Sequence, residues 1–127
     1  MSARPLRLPF LQSKLCVLSL ITNCLLPLQN LLQWLRSRKE EGYYVVGLEQ
    51  TSSSVSLGTF TFPDRPTVLL LGKEKEGIPV EFLQVVDQCL EIPQLGIIRS
   101  LNVHVSGAIA IWEHTRQNIA QGKLMQG

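Results

Sequence analysis

The chain has 127 residues, of which 45% are hydrophobic and 17% are charged. This length predicts one domain with a substantial core, and the composition excludes a mostly disordered protein. The formal net charge of only +2 excludes the strongly basic composition that by itself indicates a nucleic-acid partner.

Residues 1–27 form an atypical leader that we expect to be poorly ordered. Arg4 and Arg7 precede an apolar stretch over residues 15–21, a pattern that faintly resembles a secretory signal peptide. Lys14 interrupts that pattern, no clear cleavage site follows, and no stretch reaches the length of a membrane span without polar breaks. A secreted or membrane-tethered product is therefore the weaker alternative, and we expect no membrane partner.

The next part of the chain predicts one helix and two buried strands. Leucines at helical spacing predict a helix over residues 28–41, with basic residues near its end and Gly42 to stop it. Residues 43–48 and 67–71 are rich in β-branched, aromatic and other apolar residues, so we predict a buried strand in each. Between them, residues 56–62 predict a short extended or irregular piece that ends at a proline.

A polar turn with two glycines follows the second predicted strand. Its sequence, Gly72-x-Glu74-x-x-Gly77, is neither the dinucleotide-binding fingerprint nor a P-loop, because the glycine spacing and the required Gly-Lys-Ser/Thr end are absent. One interpretation is an ordinary solvated loop that leads to a short helix over residues 79–86. The other is a backbone cradle for a ligand, with Glu74 directed inward.

A second polar segment lies between a short strand and the longest predicted helix. We predict the strand over residues 89–92 and the helix over residues 101–119, with Ser100 as its N-cap. Ser100 and Asn102 can be interpreted as ordinary capping residues. The functional alternative is a donor cluster for an anion or a sugar phosphate at the N-terminus of the helix.

These elements divide the chain into three parts. After the leader, residues 28–120 form the domain, and residues 121–127 predict a frayed tail. Strands that are apolar throughout and alternate with helices predict an α/β domain with a mostly parallel sheet and flanking helices.

The cysteines and histidines do not predict a metal or catalytic site. Cys16, Cys24 and Cys89 form no CxxC pair, and only His104 and His114 could join them as ligands, so we expect no metal. Both histidines are expected to be ordinary surface or interface residues. An odd number of cysteines without a disulfide framework favours a reducing compartment, which we take to be the cytoplasm, with the nucleus as the alternative.

Together, the two polar segments resemble the motifs of the SpoU branch of the SPOUT methyltransferases, trefoil-knotted enzymes that methylate ribose 2′-hydroxyls. Where that family has an apolar strand and Gly-x-Glu-x-x-Gly, this chain has residues 69–77. Where it has Ile-Pro-x-x-Gly, then Ser-Leu-Asn-Val-x-Val and a helix of small residues, this chain has residues 92–96 and 100–108. Within the family, the resemblance is closest to the tRNA guanosine-18 2′-O-methyltransferases.

The resemblance implies a cofactor and a set of site residues. It implies S-adenosylmethionine as the methyl donor, and it assigns cofactor contacts to Gly72, Ile92, Leu101 and the loop residues Gln94, Leu95 and Ile97. It assigns the organisation of the active site and of the acceptor to Glu74, Ser100 and Asn102. In such a site, positioning supplies much of the rate, and loss of the hydroxyl proton needs a base or a cationic stabiliser.

The resemblance also implies partners. It implies tRNA as the acceptor substrate and a homodimer through the C-terminal helix. Val105, Ile109 and Trp112 are the candidate interface residues on that helix.

The chain departs from the family on its N-terminal side. The first family motif carries an Asn-x-Gly-x-x-x-Arg pattern with an essential arginine, and neither Asn23 nor Asn30 begins such a pattern here. We therefore expect a truncated or alternatively spliced form that has lost the catalytic arginine and part of its sheet. Two function classes remain open: an inactive or impaired tRNA ribose methyltransferase domain, and a non-catalytic module that dimerises or binds RNA.

Overall fold

The computed structural model describes residues 14–20, 27–73, 76–93 and 102–122. Its strands are β1 (Leu15–Ser19), β2 (Tyr44–Leu48), β3 (Val55–Ser56), β4 (Thr67–Leu71) and β5 (Gln88–Glu91). Its helices are α1 (Leu28–Glu40), α2 (Val80–Leu83) and α3 (Val103–Ala120). The five strands form one sheet in the order β1–β4–β2–β5–β3, and each neighbouring pair is parallel.

The central strand β4 is buried over its whole length. It pairs with β1 on one side and β2 on the other, so that Leu69 lies opposite both Val17 and Val46. Side chains alternate between the two faces of a strand, and a strand covered on both faces therefore has to be apolar on both. This explains why the Thr-Val-Leu-Leu-Leu sequence of β4 shows no polar alternation.

Helices cover both faces of the sheet. Val68 and Leu70 belong to a core cluster that includes buried leucines of α1 and a phenylalanine of α2. Leu69 and Leu71 belong to a second cluster on the opposite face, where Ala110 contributes from α3. The predicted α/β architecture with a parallel sheet and flanking helices is thus confirmed.

Most predicted elements are confirmed, with small differences at their ends. Helix α1 ends one residue earlier than expected, where Gly42 takes a φ of 101° that favours glycine. Helix α2 is shorter than the predicted 79–86, because Pro79 occupies the N-cap and the chain turns towards β5 after Gln84. Helix α3 begins after Asn102, so the expectation that Ser100 caps a helix starting at residue 101 is corrected.

Strand β1 was not predicted. The sequence analysis treated residues 15–19 as part of a poorly ordered leader, and for these five residues the absence of a predicted strand was wrong. Parallel pairing with β4 continues beyond the strand, since Thr67 N donates to Lys14 O and Leu20 N donates to Leu71 O. The boundary of the domain at residue 27 stays a prediction.

Neither a membrane helix nor a metal cluster is found in the described parts of the chain. No helix in residues 27–73, 76–93 or 102–122 is long and apolar enough to cross a membrane. Among the same residues and 14–20, no three His, Cys, Asp or Glu side chains are grouped so that they could hold a metal. The thiols of Cys16 and Cys89 are free.

Candidate functional site

Three segments leave the sheet side by side at the edge where the parallel strands end, here called the carboxyl edge. Leu48 of β2 pairs with Leu71 of β4 on one side and with Leu90 of β5 on the other. The chain therefore leaves β4 and β5 on either side of the end of β2. In open α/β sheets, ligands bind in the crevice outside this edge, where neighbouring connections diverge.

The segment after β4 closes on itself where residues 72–73 meet residues 76–78, and we call this closed turn the glycine turn. Lys73 N donates to Gly77 O at 3.2 Å, and Gly77 N donates to Lys73 O at 2.8 Å. Gly77 has a φ of 70°, which disfavours other residues, and a Cβ on Gly72 would overlap the backbone of Gly77 and lie 2.7 Å from Ile78 N. The two glycines are therefore needed for the tight approach of the two ends of the turn.

The end of β5 and the start of α3 pack against the same core cluster. Ile92 and Val103 both pack against the core cluster that contains Leu71, so the end of β5 and the N-terminus of α3 lie over the same face of the sheet. Helix α3 approaches β4 closely at Gly107, where a Cβ would be only 2.9 Å from a methyl carbon of Leu71. The small residues predicted in this helix thus allow it to pack directly on the central strand.

Asn102 caps α3. Its Oδ1 accepts a hydrogen bond from His104 N at 2.7 Å, which satisfies one of the amides at the start of the helix. The capping interpretation of Asn102 is confirmed, and its acceptor-organising role stays a prediction.

Neither the thiol of Cys89 nor the ring of His114 offers an activated, exposed nucleophile or base. Burial raises the pKa of the Cys89 thiol, so the thiol stays protonated at neutral pH and is a poor nucleophile. His114 is buried on α3 between Phe62 and Asn118, which corrects the expectation of a surface or interface histidine. The described part of the site therefore offers backbone groups, shape and one carboxylate, that of Glu49 directly after β2.

The structure places some of the predicted site residues and leaves others undescribed. Gly72 and Ile92 lie at the carboxyl edge, and Asn102 lies at the start of the helix that packs over it. The remaining predicted site residues lie outside the described residues, and their roles stay predictions: Glu74, Gln94, Leu95, Ile97, Ser100 and Leu101. One residue that the sequence analysis missed, Glu49, follows β2 directly and accepts a hydrogen bond from Ile78 N at 2.7 Å.

The chain is similar to a known family and to known enzymes. The model of the SpoU rRNA Methylase family matches residues 18–112. The tRNA (guanosine(18)-2′-O)-methyltransferase TARBP1 of Mus musculus is 56% identical over 89 residues, which are 70% of this chain and 6% of that protein. The tRNA (guanosine(18)-2′-O)-methyltransferase of Escherichia coli K12 is 33% identical over 88 residues, which are 69% of this chain and 38% of that protein. The chain therefore spans only a small part of these relatives.

Solved structures share the fold. The TrmH/SpoU tRNA modifying enzyme of A. aeolicus superposes with a TM-score of 0.67 at 22% identity, over 91% of this chain and 70% of that one. An AdoMet-bound rRNA methyltransferase from Sinorhizobium meliloti superposes with a TM-score of 0.60 at 32% identity, over 66% of this chain and 32% of that one. The fold is that of the SpoU/TrmH-type SPOUT methyltransferases, and the chain belongs to the SpoU methylase family.

Proposed function

We propose that this chain binds S-adenosylmethionine at the carboxyl edge, between the glycine turn and the segment that follows Ile92. The observation that carries the proposal is the closed glycine turn at the carboxyl edge, in which Gly72, directly after β4, lies against the backbone of Gly77. Glycine-rich turns are common where a ligand approaches the backbone closely. An AdoMet-bound rRNA methyltransferase superposes on 66% of this chain, which supports S-adenosylmethionine as the ligand.

The acceptor substrate that we propose is tRNA, methylated on the ribose 2′-hydroxyl of a guanosine. Relatives from mouse, yeast and Escherichia coli all carry the name tRNA (guanosine(18)-2′-O)-methyltransferase. We further propose that these 127 residues alone transfer methyl groups poorly, because they lack the arginine motif that the family resemblance calls essential. Without a cationic group near the hydroxyl, the developing alkoxide is poorly stabilised.

Two measurements on the same purified chain test these proposals. Isothermal titration calorimetry with S-adenosylhomocysteine should show binding, and a saturating ligand should also raise the melting temperature. Transfer of labelled methyl groups from S-adenosylmethionine to unmodified tRNA should be weak or undetectable. Robust turnover would contradict the proposed impairment, and an absence of binding would contradict the proposed cofactor site.

A second candidate function is a non-catalytic module that acts by dimerising. The observation that favours it is an apolar stripe on α3, formed by Val105, Ile109 and Trp112, which are 49%, 38% and 59% exposed in the single chain. Their i, i+4, i+7 spacing places them on one side of the helix, opposite the buried residues Gly107 and His114. Exposed apolar side chains on one helix face are typical of an interaction surface.

Sedimentation velocity over a range of protein concentrations tests this candidate. We expect a homodimer that Trp112→Ser weakens. Ile111→Ser is the control, because Ile111 is also an exposed apolar residue of α3, at 38%, but lies about 100° around the helix from Trp112. A wild-type chain that stays monomeric at all concentrations would contradict the homodimer.

A further inference from the structure

The first residue after β2, Glu49, is fixed at the carboxyl edge by its backbone. Glu49 N donates to Leu90 O at 3.0 Å, which extends the pairing of β2 with β5 by one residue beyond the strand. The side chain therefore starts from a defined position in the middle of the edge, beside the end of β4.

The carboxylate of Glu49 reaches across to the glycine turn. Its Oε1 accepts a hydrogen bond from Ile78 N at 2.7 Å. It also lies against Gly77, where a Cβ would overlap Oε1 and stand 3.1 Å from Cδ. The carboxylate thus occupies the space that a side chain on residue 77 would take. A charged acceptor also makes a shorter and stronger hydrogen bond to an amide than a neutral acceptor does.

This contact fixes the exit of the turn. The entry is held by β4, and the side chain of Ile78 is buried over Gly47, where a Cβ would be 3.0 Å from its terminal methyl carbon. Gly72 and Gly77 touch backbone to backbone, so a displacement of Gly77 would be passed directly to Gly72. Gly72 is the turn residue that the family resemblance assigns to the methyl donor.

We propose that Glu49 is a positioning residue, whose carboxylate holds the glycine turn in the shape that the methyl donor requires. The identity of the ligand in this proposal rests on the proposed function. The effect of Glu49 on the glycine turn can be measured without any ligand. Glu49 itself need not touch the cofactor, because it acts through Ile78 and Gly77.

Three variants test the proposal with two readouts. Glu49→Ala removes the acceptor, whereas Glu49→Gln keeps an oxygen of the same reach without the charge. Glu41→Ala is the control, because Glu41 is an acidic residue whose exposed ion pair with Arg38 lies at the other end of β2. The readouts are the affinity for S-adenosylhomocysteine by calorimetry and the hydrogen-exchange rate of the Ile78 amide by NMR, with thermal melting to confirm folding.

We expect Glu49→Ala to speed exchange at Ile78 and to weaken S-adenosylhomocysteine binding, each at least about tenfold, the effect of losing one charge-assisted hydrogen bond. Glu49→Gln should keep most of the affinity and most of the protection of the Ile78 amide, whereas a purely electrostatic role of Glu49 would predict the loss of both. Glu41→Ala should match the wild type in both readouts. If Glu49→Ala does not fold, Glu49→Asp replaces it, because the shorter carboxylate keeps the charge but does not reach Ile78.

The outcomes separate this proposal from the proposed function. Wild-type affinity in a folded Glu49→Ala or Glu49→Asp chain would overturn the positioning role. If the wild type itself does not bind S-adenosylhomocysteine, the proposed cofactor site fails. In that case, an unchanged exchange rate of the Ile78 amide in the variants would show that Glu49 does not stabilise the turn, and faster exchange would show that it does.

Discussion

Two glycines bound the turn after β4, and each is required for a different reason. Gly77 adopts a φ of 70°, while Gly72 lacks room for a Cβ because the backbone of Gly77 lies against it. The Gly-x-Glu-x-x-Gly pattern could be read from the sequence, since it matches a family motif. The steric reason for Gly72 could not, because it depends on a contact that only the closed turn creates.

Gly72→Ala should therefore disturb both the fold and the proposed site. The new methyl group meets backbone atoms that cannot rotate away, so we expect the free energy of unfolding to fall by about 1–3 kcal/mol. S-adenosylhomocysteine should bind at least about tenfold more weakly, since the turn has to open. Urea denaturation and calorimetry measure the two effects.

The control for this variant is Gly58→Ala. Gly58 is exposed, and the nearest atom to its Cβ position is Ser56 Oγ at 3.5 Å, an ordinary contact. Its stability should change by less than about 0.5 kcal/mol, and its ligand affinity should not change. An equal effect of both variants would show that the tight approach in the glycine turn is not the cause.

Asn102 has a structural role that can be separated from the predicted catalytic one. Asn102→Ala removes the cap on His104 N and should lower the free energy of unfolding by about 0.5–2 kcal/mol. Asn102→Asp keeps a capping oxygen and should retain most of the stability. Urea denaturation of both variants checks this, and equal losses in the two would contradict the capping role.

At the scale of single residues, the sequence analysis missed Glu49 and placed His114 wrongly. Glu49 could have been noticed as a charged residue that ends a buried strand, but its partner, Ile78, is 29 residues away. The burial of His114 depends on the packing of α3 against Phe62, which no local pattern in the helix reveals.

At the scale of elements, Gln117 of α3 makes two hydrogen bonds to the irregular segment before β4. Gln117 Oε1 accepts from Phe62 N at 2.9 Å, and Gln117 Nε2 donates to Phe60 O at 2.8 Å. Gln117 thus bonds a segment without regular structure to the longest helix and keeps its aromatic side chains against the second face of the sheet.

Gln117→Ala should destabilise the domain through this segment. It removes both bonds and leaves the Phe62 amide without this acceptor, so we expect a loss of about 1–3 kcal/mol in the free energy of unfolding. Gln121→Ala, at the exposed C-terminal cap of the same helix, should have little effect. Denaturant unfolding of the two variants makes the comparison, and similar losses would argue against the bridging role of Gln117.

The same helix predicts a small pH dependence of stability. Arg116 makes two hydrogen bonds to the carboxylate of Glu113 and lowers its pKa below the ordinary value of 4.5. A carboxyl whose pKa is lower in the folded state stabilises the fold above its unfolded pKa and loses this effect as the pH falls through its folded pKa.

Glu113→Gln should therefore melt at a slightly lower temperature than the wild type at neutral pH. The effect is small because Arg116 is half exposed and the pair is screened by solvent. The difference should vanish at a pH below the folded-state pKa of Glu113. A difference that persists unchanged in strong acid would show that the ion pair is not its source.

Among the elements, those with a strong local pattern were predicted and β1 was not. The apolar runs of β2 and β4 and the helical spacing of α1 suffice for prediction, since burial dictates them. Strand β1 lies at the edge of the sheet, with Val17 44% exposed, and it is defined by its pairing with β4, 52 positions further along the chain at Leu69. Such long-range pairing leaves little signal in a five-residue stretch.

At the scale of the whole molecule, the order of the strands creates the site. Because β2 lies between β4 and β5, segments that are about twenty residues apart in the sequence leave the sheet on either side of one strand end. A parallel sheet was predictable from the alternation of apolar strands and helices, but its strand order was not. From the sequence, only the resemblance to the SpoU family indicated that the two segments belong to one site.

The central claim is that the methyl donor binds at the carboxyl edge, and NMR mapping with S-adenosylhomocysteine tests it most directly. In a ¹H–¹⁵N spectrum of the labelled chain, we expect the amide signals of Gly72, Ile78 and Ile92 to shift on titration. The signals of Gly42 and Asp87, at the opposite edge of the sheet, should stay in place. Shifts confined to the opposite edge, or no shifts at saturating ligand, would contradict the account.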